Sequence, residues 1–213
     1  DPESPGPALV VLPLDHAGHR ARPPQLPIAP IPSRSRPVAA DTVDILEKRL
    51  RRARRPLLVI GTACRPASDE LVRLVDALQI PFVTTPQAKG VVSERHPFSL
   101  RTCGMSASQW ARRYMKGEGA DVALAIGTDL DDVSTAGTPP IGPGGWLAHA
   151  DVDAEVIGRN FPTGLGIVCG ARELAAALAE RFEEGGPVAG GPRMAATARE
   201  GSAFDNPGFQ RDE

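Results

Sequence analysis

Unbroken apolar runs alternate along this chain with stretches in which apolar residues return every three or four positions. The runs are Pro56–Gly61 (PLLVIG), Ile80–Thr85 (IPFVTT), Val122–Ile126 (VALAI), Leu147–Val152 (LAHADV) and Leu165–Cys169 (LGIVC). A run of Val, Ile, Leu and Ala without polar alternation reads as a strand buried on both faces. A sixth, less regular candidate lies near Phe98, after the turn at Gly90. Helical spacing joins Val43, Leu46 and Leu50, then Leu71, Leu74, Val75 and Leu78, then Trp110 to Tyr114, and finally Ala171 to Phe182. Asp41 is the expected N-cap of the first helix, Ser68 of the second, and Ser106 or Ser108 of the third. Strand and helix take turns, which predicts right-handed βαβ units and a parallel sheet covered on both sides. The expected fold is therefore a three-layer, doubly wound, Rossmann-like α/β domain.

The ends differ from this body. Ala8–Leu12 (ALVVL) is a short β-like run closed by Pro13, and a lone strand must pair with something. From Arg20 to Pro37 prolines crowd the sequence, the composition of an extended linker. Gly137–Gly145 is a loop by its glycines and prolines. From Glu183 onward Gly, Pro and Ala predict a second linker.

The chain has 213 residues with a formal net charge of -2, and 41% of it is hydrophobic. That supports a real core and argues against a disordered chain. The charge gives no nucleic-acid signature. No apolar run approaches the roughly 20 residues that span a bilayer, and the acidic, Pro-rich start lacks the basic region of a signal peptide. Cys64, Cys103 and Cys169 are far apart and odd in number, which suggests neither a disulfide framework nor a zinc site. A cytoplasmic protein is the simplest expectation.

Candidate chemistry gathers where strands end. Gly61 and Thr62 follow the first buried strand and precede a helix. There, backbone N–H groups could cradle a phosphate, or the segment is an ordinary tight turn. It is not GxGxxG, and Thr84 and Thr85 stand where the ribose-binding acid of an NAD site would be. Gly127, Thr128 and Asp129, followed by Asp131 and Asp132, offer backbone donors and carboxylates at a second strand end. They suit ribose hydroxyls or a helix cap equally. Asp151 and Asp153 fit the same edge, where open parallel sheets bind ligands. Asp153 can instead cap a short helix from Ala154 to Gly158. The basic run Lys48 to Arg55 complements a helix C-terminus and reads as a solvated face or a contact with a neighbouring domain. His16, His19, His96 and His149 have no ligand-like spacing. No GxSxG, HExxH or Walker A motif is present, so neither a catalytic residue nor a metal site is expected in this chain.

Several blocks in fixed order resemble the thiamine-diphosphate-dependent enzymes of the acetolactate synthase type. Gly6–Asp15 (GPALVVLPLD) is similar to the last strand of that family's N-terminal pyrimidine-binding domain. Ala53–Gly61 (ARRPLLVIG) is similar to the opening of its central domain. Ile80–Gly90 with His96 and Pro97, Ala120–Gly127, Asp151–Asn160 and Ile167–Gly170 continue the pattern, so the likeness runs from about Gly6 to Phe182. It implies a six-stranded parallel sheet of order 3-2-1-4-5-6. It further implies a division into residues 1–19 (remnant of the N-terminal domain), 20–40 (linker), 41–183 (central nucleotide-binding-like domain) and 184–213 (linker towards a C-terminal domain). The full enzyme would be a homo-oligomer using thiamine diphosphate and Mg²⁺ to decarboxylate a 2-keto acid and pass on the acyl carbanion. The family's cofactor-activating glutamate and Gly-Asp-Gly metal motif lie in domains this chain lacks. It is therefore expected to be a middle segment, catalytically silent alone, whose partners are the flanking domains of the same polypeptide.

In some family members the central domain binds FAD or ADP. The acetolactate synthases carry a G-x-R-F-D-D-R motif. Here Asp129 takes the place of its first Arg and Val133 of its second, which weakens the case for a bound pyrophosphate. The expectation is a vestigial or weak nucleotide site at Gly61, Thr62, Gly127, Thr128, Asp129, Asp151 and Asp153. Two other functions compete with it. One is a stand-alone module of the same fold that binds FAD, ADP or NAD. The other is a protein-interaction module working through the basic helix.

Overall fold

The computed structural model describes Leu9, Val11, 13–18, Arg20, 37–116 and 118–188. The chain divides into two units, Asp1–Arg34 and Ser35–Glu213. In the first, the regular element is a single helical turn, α1 (Leu14–Ala17). Leu9 and Val11, from the β-like run, belong to no element and are exposed. The rest of that run, and nearly all of the Pro-rich linker, lie outside the described residues.

The second unit is a six-stranded sheet in the order β3-β2-β1-β4-β5-β6, and every strand pair is parallel. The strands are β1 (Pro56–Ile60), β2 (Phe82–Thr84), β3 (Ser99–Thr102), β4 (Val122–Ile126), β5 (Trp146–Asp151) and β6 (Leu165–Val168). Every residue of central strands β1 and β4 is buried, which is why they read as continuous apolar runs. The weak sixth candidate is β3, an edge strand whose register with β2 shifts between Phe82 and Thr84.

Alternate side chains face two cores. Leu58, Ile60, Phe82, Leu124 and Ile126 meet helices α2 (Ala40–Arg52), α3 (Ser68–Leu78) and α6 (Ala171–Gly185) on one side. Those helices bury Leu46, Leu50, Leu71, Leu74, Leu178 and Phe182 at helical spacing. Leu57, Val59, Val83 and Ala123 face the other side. There α4 (Gln109–Met115) supplies Trp110, Ala111 and Tyr114. Each fully buried Leu contributes roughly 1.5–3 kcal/mol, so these faces fix the layers.

The helix ends correct several expectations. Asp41 is not the cap of α2. Ala39 holds that place without a side-chain bond, and its carbonyl accepts the Thr42 and Val43 N–H groups. Ser68 begins α3 instead of capping it, because its hydroxyl donates to the Val91 carbonyl. Of the two serines before α4, Ser108 is the cap, accepting the Ala111 N–H at 3.0 Å. Residues 154–158 form hydrogen-bonded turns, not a helix. The last helix runs beyond Phe182 to Gly185, past the point where a linker was expected to begin.

Candidate functional site at the carboxyl edge

The strand order reverses between β1 and β4, so their carboxyl ends part and leave a crevice, the place where open α/β sheets bind ligands. A cavity of about 490 Å³ opens there. Five of the seven candidate residues line it: Thr62, Gly127, Thr128, Asp129 and Asp151. Thr85, Gln87, Asp131 and Ser134 complete the polar wall, with Ala63 and Val156 as apolar patches.

Gly61 and Asp153 are not among the residues lining it. A Cβ on Gly61 would lie 2.0 Å from the Gly127 carbonyl oxygen. This glycine lets the ends of β1 and β4 close onto each other. Asp153 Oδ1 accepts the Glu155 N–H at 2.9 Å, and its own N–H donates to Asp151 Oδ1 at 3.0 Å. It shapes the turn after β5.

Of the two readings open at Gly61, a phosphate cradle or an ordinary tight turn, the geometry matches the turn. The segment after it is a 3₁₀ stretch, Thr62–Ala67, and α3 starts only at Ser68. Three backbone donors are already engaged: Gly61 N–H to the Ile126 carbonyl at 2.8 Å, Ala63 N–H to the Gly127 carbonyl at 3.0 Å, and Cys64 N–H to the Gly61 carbonyl at 3.2 Å. After β4, the single turn α5 (Asp132–Thr135) is capped by Asp131, whose Oδ1 accepts the Ser134 N–H at 2.8 Å.

His149 organises the far wall. It is buried within β5, and its Nε2–H donates to the Thr128 carbonyl at 2.7 Å while Nδ1 accepts the Gly158 N–H at 3.2 Å. With Nδ1 accepting, the ring proton that reaches Thr128 is carried on Nε2. Just outside, Arg159 Nη2 meets Asp129 Oδ2 at 3.0 Å, and Asn160 Nδ2 donates to the Asp129 carbonyl at 2.7 Å. The loops after β4 and β5 are thus stapled together beside the cavity. Burial raises the Asp151 carboxyl above its usual range, partly opposed by the Asp153 N–H bond.

The geometry limits what fits. Among the described residues no Lys or Arg lines the cavity, and the Gly61, Ala63, Cys64 and Gly127 N–H groups are engaged, so a pyrophosphate meets carboxylates instead of cations. Among the described residues no group of three His, Cys, Asp or Glu is placed to hold a metal ion. These residues therefore do not fit FAD, ADP or Mg²⁺ through the diphosphate or the metal. No nucleophile is poised either. Burial pushes the Cys64 thiol up to about 12, and its S–H donates to the Ile126 carbonyl at 3.2 Å.

The basic run separates into two groups. Arg55 clamps the Gly119 and Tyr114 carbonyls at 2.7 and 3.1 Å, and Arg51 holds Glu47 and the Gly186 carbonyl. Lys48, Arg49 and Arg52 border a second cavity at the opposite, amino edge of the sheet. Among the described residues no helix is long and apolar enough to cross a membrane.

The sequence reasoning missed Thr85, Ser134 and His149. Thr85 follows β2 at the same edge, a position signal that was available. His149 is a polar residue in the middle of a largely apolar run, a second usable signal.

Comparison with known proteins gives a consistent result. Residues 43–178 match the family described as "Thiamine pyrophosphate enzyme, central domain". A candidate acetolactate synthase large subunit, IlvB2 of Mycobacterium tuberculosis, is 32% identical over 146 residues, covering 67% of this chain and 26% of that protein. The chloroplastic acetolactate synthase 1 of Zea mays is 32% identical over 163 residues, covering 73% of this chain and 25% of that protein. The X-ray structure of a candidate thiamin diphosphate-dependent enzyme from Mycobacterium smegmatis superposes with a TM-score of 0.57 at 17% identity. It covers 72% of this chain and 29% of that one, and carries the likeness of fold. The chain spans about a quarter of the length of the curated relatives it matches.

Proposed function

This chain belongs to the thiamine pyrophosphate enzyme family, as its central domain, and from that premise we propose that it is the non-catalytic spacer of an acetolactate synthase-like enzyme. In the full-length protein, thiamine diphosphate with Mg²⁺ would be held by the flanking domains and would supply the chemistry that decarboxylates a 2-keto acid. The residues of this chain position those domains. They also keep a reduced nucleotide site at the carboxyl edge.

One observation carries this reading. The cavity at the strand reversal is walled by carboxylates and hydroxyls, with no activated nucleophile. Such a wall binds and orients; it does not open a carbon–carbon bond. The basic side chains Lys48 and Arg52 at the opposite edge, without an ion pair among the described residues, suit docking of a flanking domain, and a homo-oligomer is the expected assembly of the whole protein. Three free, buried thiols suit a reducing compartment such as the cytoplasm.

The test is the absorption spectrum of the purified protein together with its thermal shift in millimolar FAD, ADP, NAD and adenosine. The account expects no bound flavin and a small shift with adenosine alone. A yellow protein, or strong stabilisation by FAD, would show a complete dinucleotide site and overturn the reduced-site reading.

A further inference from the structure

We propose that the carboxyl-edge cavity selects an uncharged nucleoside over its phosphorylated forms, and that Asp129 sets this selectivity by holding Arg159. The inference rests on the nucleotide-type reading of the cavity given above.

The walls carry the first half. The volume, about 490 Å³, lies within the roughly 300–1,000 Å³ typical of small-molecule sites. Asp151 is only 8% exposed and offers a carboxylate to vicinal hydroxyls. Thr85 is 1% exposed and lines the cavity, where its hydroxyl can serve a ligand's hydroxyl as donor or acceptor. Ala63 and Val156 add apolar surface for a flat base. Hydroxyl partners beside an apolar patch match a ribose and its base.

The second half comes from charge. Asp129, Asp131 and Asp151 all line the cavity, and among the described residues no cation does. Arg159 reaches the neighbourhood only through its 3.0 Å ion pair with Asp129. Its approach is fixed by its neighbours, since Asn160 is tied to the Asp129 carbonyl and Gly158 to His149. A phosphate entering beside Asp129 would call on that guanidinium, the bidentate partner such anions use, since the other nearby one, Arg65, is held on the Gln87 carbonyl. Asp129 already occupies Arg159. Even if Arg159 turned to the ligand, the freed Asp129 carboxylate would face the phosphate beside Asp131. Taking the charge off Asp129 therefore releases one cation and removes one repulsion together.

Calorimetric titration of the 213-residue protein with adenosine and with ADP tests this, in the wild type, Asp129→Asn, Arg159→Gln and the double variant. Asn keeps the side-chain oxygen that faces the Asp131 N–H, Asp129 is half-buried and Arg159 exposed, so folded variants are expected; a melting curve checks it. The wild type should bind adenosine about tenfold or more tighter than ADP. Asp129→Asn should tighten ADP about tenfold, the scale of one charge-assisted hydrogen bond, and shift the ADP-to-adenosine ratio in favour of ADP by a similar factor. Arg159→Gln alone should weaken ADP further, and in the double variant the gain should vanish. Wild-type preference for ADP, or no gain for ADP in Asp129→Asn while adenosine binds, overturns the selectivity and leaves the site. No binding of either ligand by any folded variant overturns the site itself, and the selectivity with it.

Discussion

Substituting Gly61 by Ala tests whether the two central strand ends touch as closely as described. The added Cβ would lie 2.0 Å from the Gly127 oxygen, 2.4 Å from the Gly127 carbonyl carbon and 2.4 Å from Thr128 Cβ. Comfortable carbon contacts lie near 3.5–4.0 Å, so the segments must part by more than 1 Å. All three obstacles are backbone or Cβ atoms, so no rotamer change relieves them. Parting them strains the bonds from Gly61 N–H to Ile126 and from Ala63 N–H to Gly127. Overpacking costs about 3 kcal/mol at the upper end of its usual range, and one weakened hydrogen bond adds about 1 kcal/mol. The expected loss is about 4 kcal/mol, or roughly 8–16 °C in Tm at about 2–4 °C per kcal/mol for a domain of this size. Gly90→Ala is the control. Gly90 has φ +89° and nothing within 4 Å of an added Cβ, so only backbone strain of about 1–2 kcal/mol applies. Urea unfolding followed by circular dichroism gives both values. A Gly61→Ala protein as stable as Gly90→Ala, with an unchanged m-value, would refute the close approach.

Other outcomes follow from the same structure. Burial pushes the Cys64, Cys103 and Cys169 thiols up to about 12, so all three should resist a thiol reagent at pH 8 in the native state and react together in denaturant. Fast labelling of any one in the folded protein would contradict its burial. Because desolvation raises the folded pKa of Asp151 above the ordinary 3.8, its contribution to stability is fully present below that value. It is lost as pH rises through the raised native pKa. Asp151→Asn should flatten this decline in urea melts from pH 4 to pH 7, and an unchanged slope would contradict it. Tyr114 donates its hydroxyl to the Pro56 carbonyl at 2.8 Å; Tyr114→Phe should cost about 1 kcal/mol in chemical denaturation, and a stabilised variant would count against that bond.

The fold was legible wherever burial alone dictates composition. The central strands β1 and β4 are covered on both faces, so Pro56–Ile60 and Val122–Ile126 needed no polar residue and showed none. The edge strand β3 was faint because Ser99, Arg101 and Thr102 occupy it and Arg101 has φ +67°. Helix starts were harder. Ala39 caps α2 with its backbone only, and the Ser68 hydroxyl is drawn to a distant carbonyl, a tertiary choice with no local signature. At the site, the acids and Gly127 were readable because the end of a buried strand is a marked position. The role of Gly61 was not, since it depends on what packs against it from another strand. The ion pair of Asp129 with Arg159 joins two loops, and no local spacing announces it.

The central claim is that this domain supports thiamine chemistry without performing it. The direct measurement is carbon dioxide released from pyruvate by the 213-residue protein supplied with thiamine diphosphate and Mg²⁺. The account predicts release no faster than in a protein-free control. Sustained turnover by this polypeptide alone would contradict it.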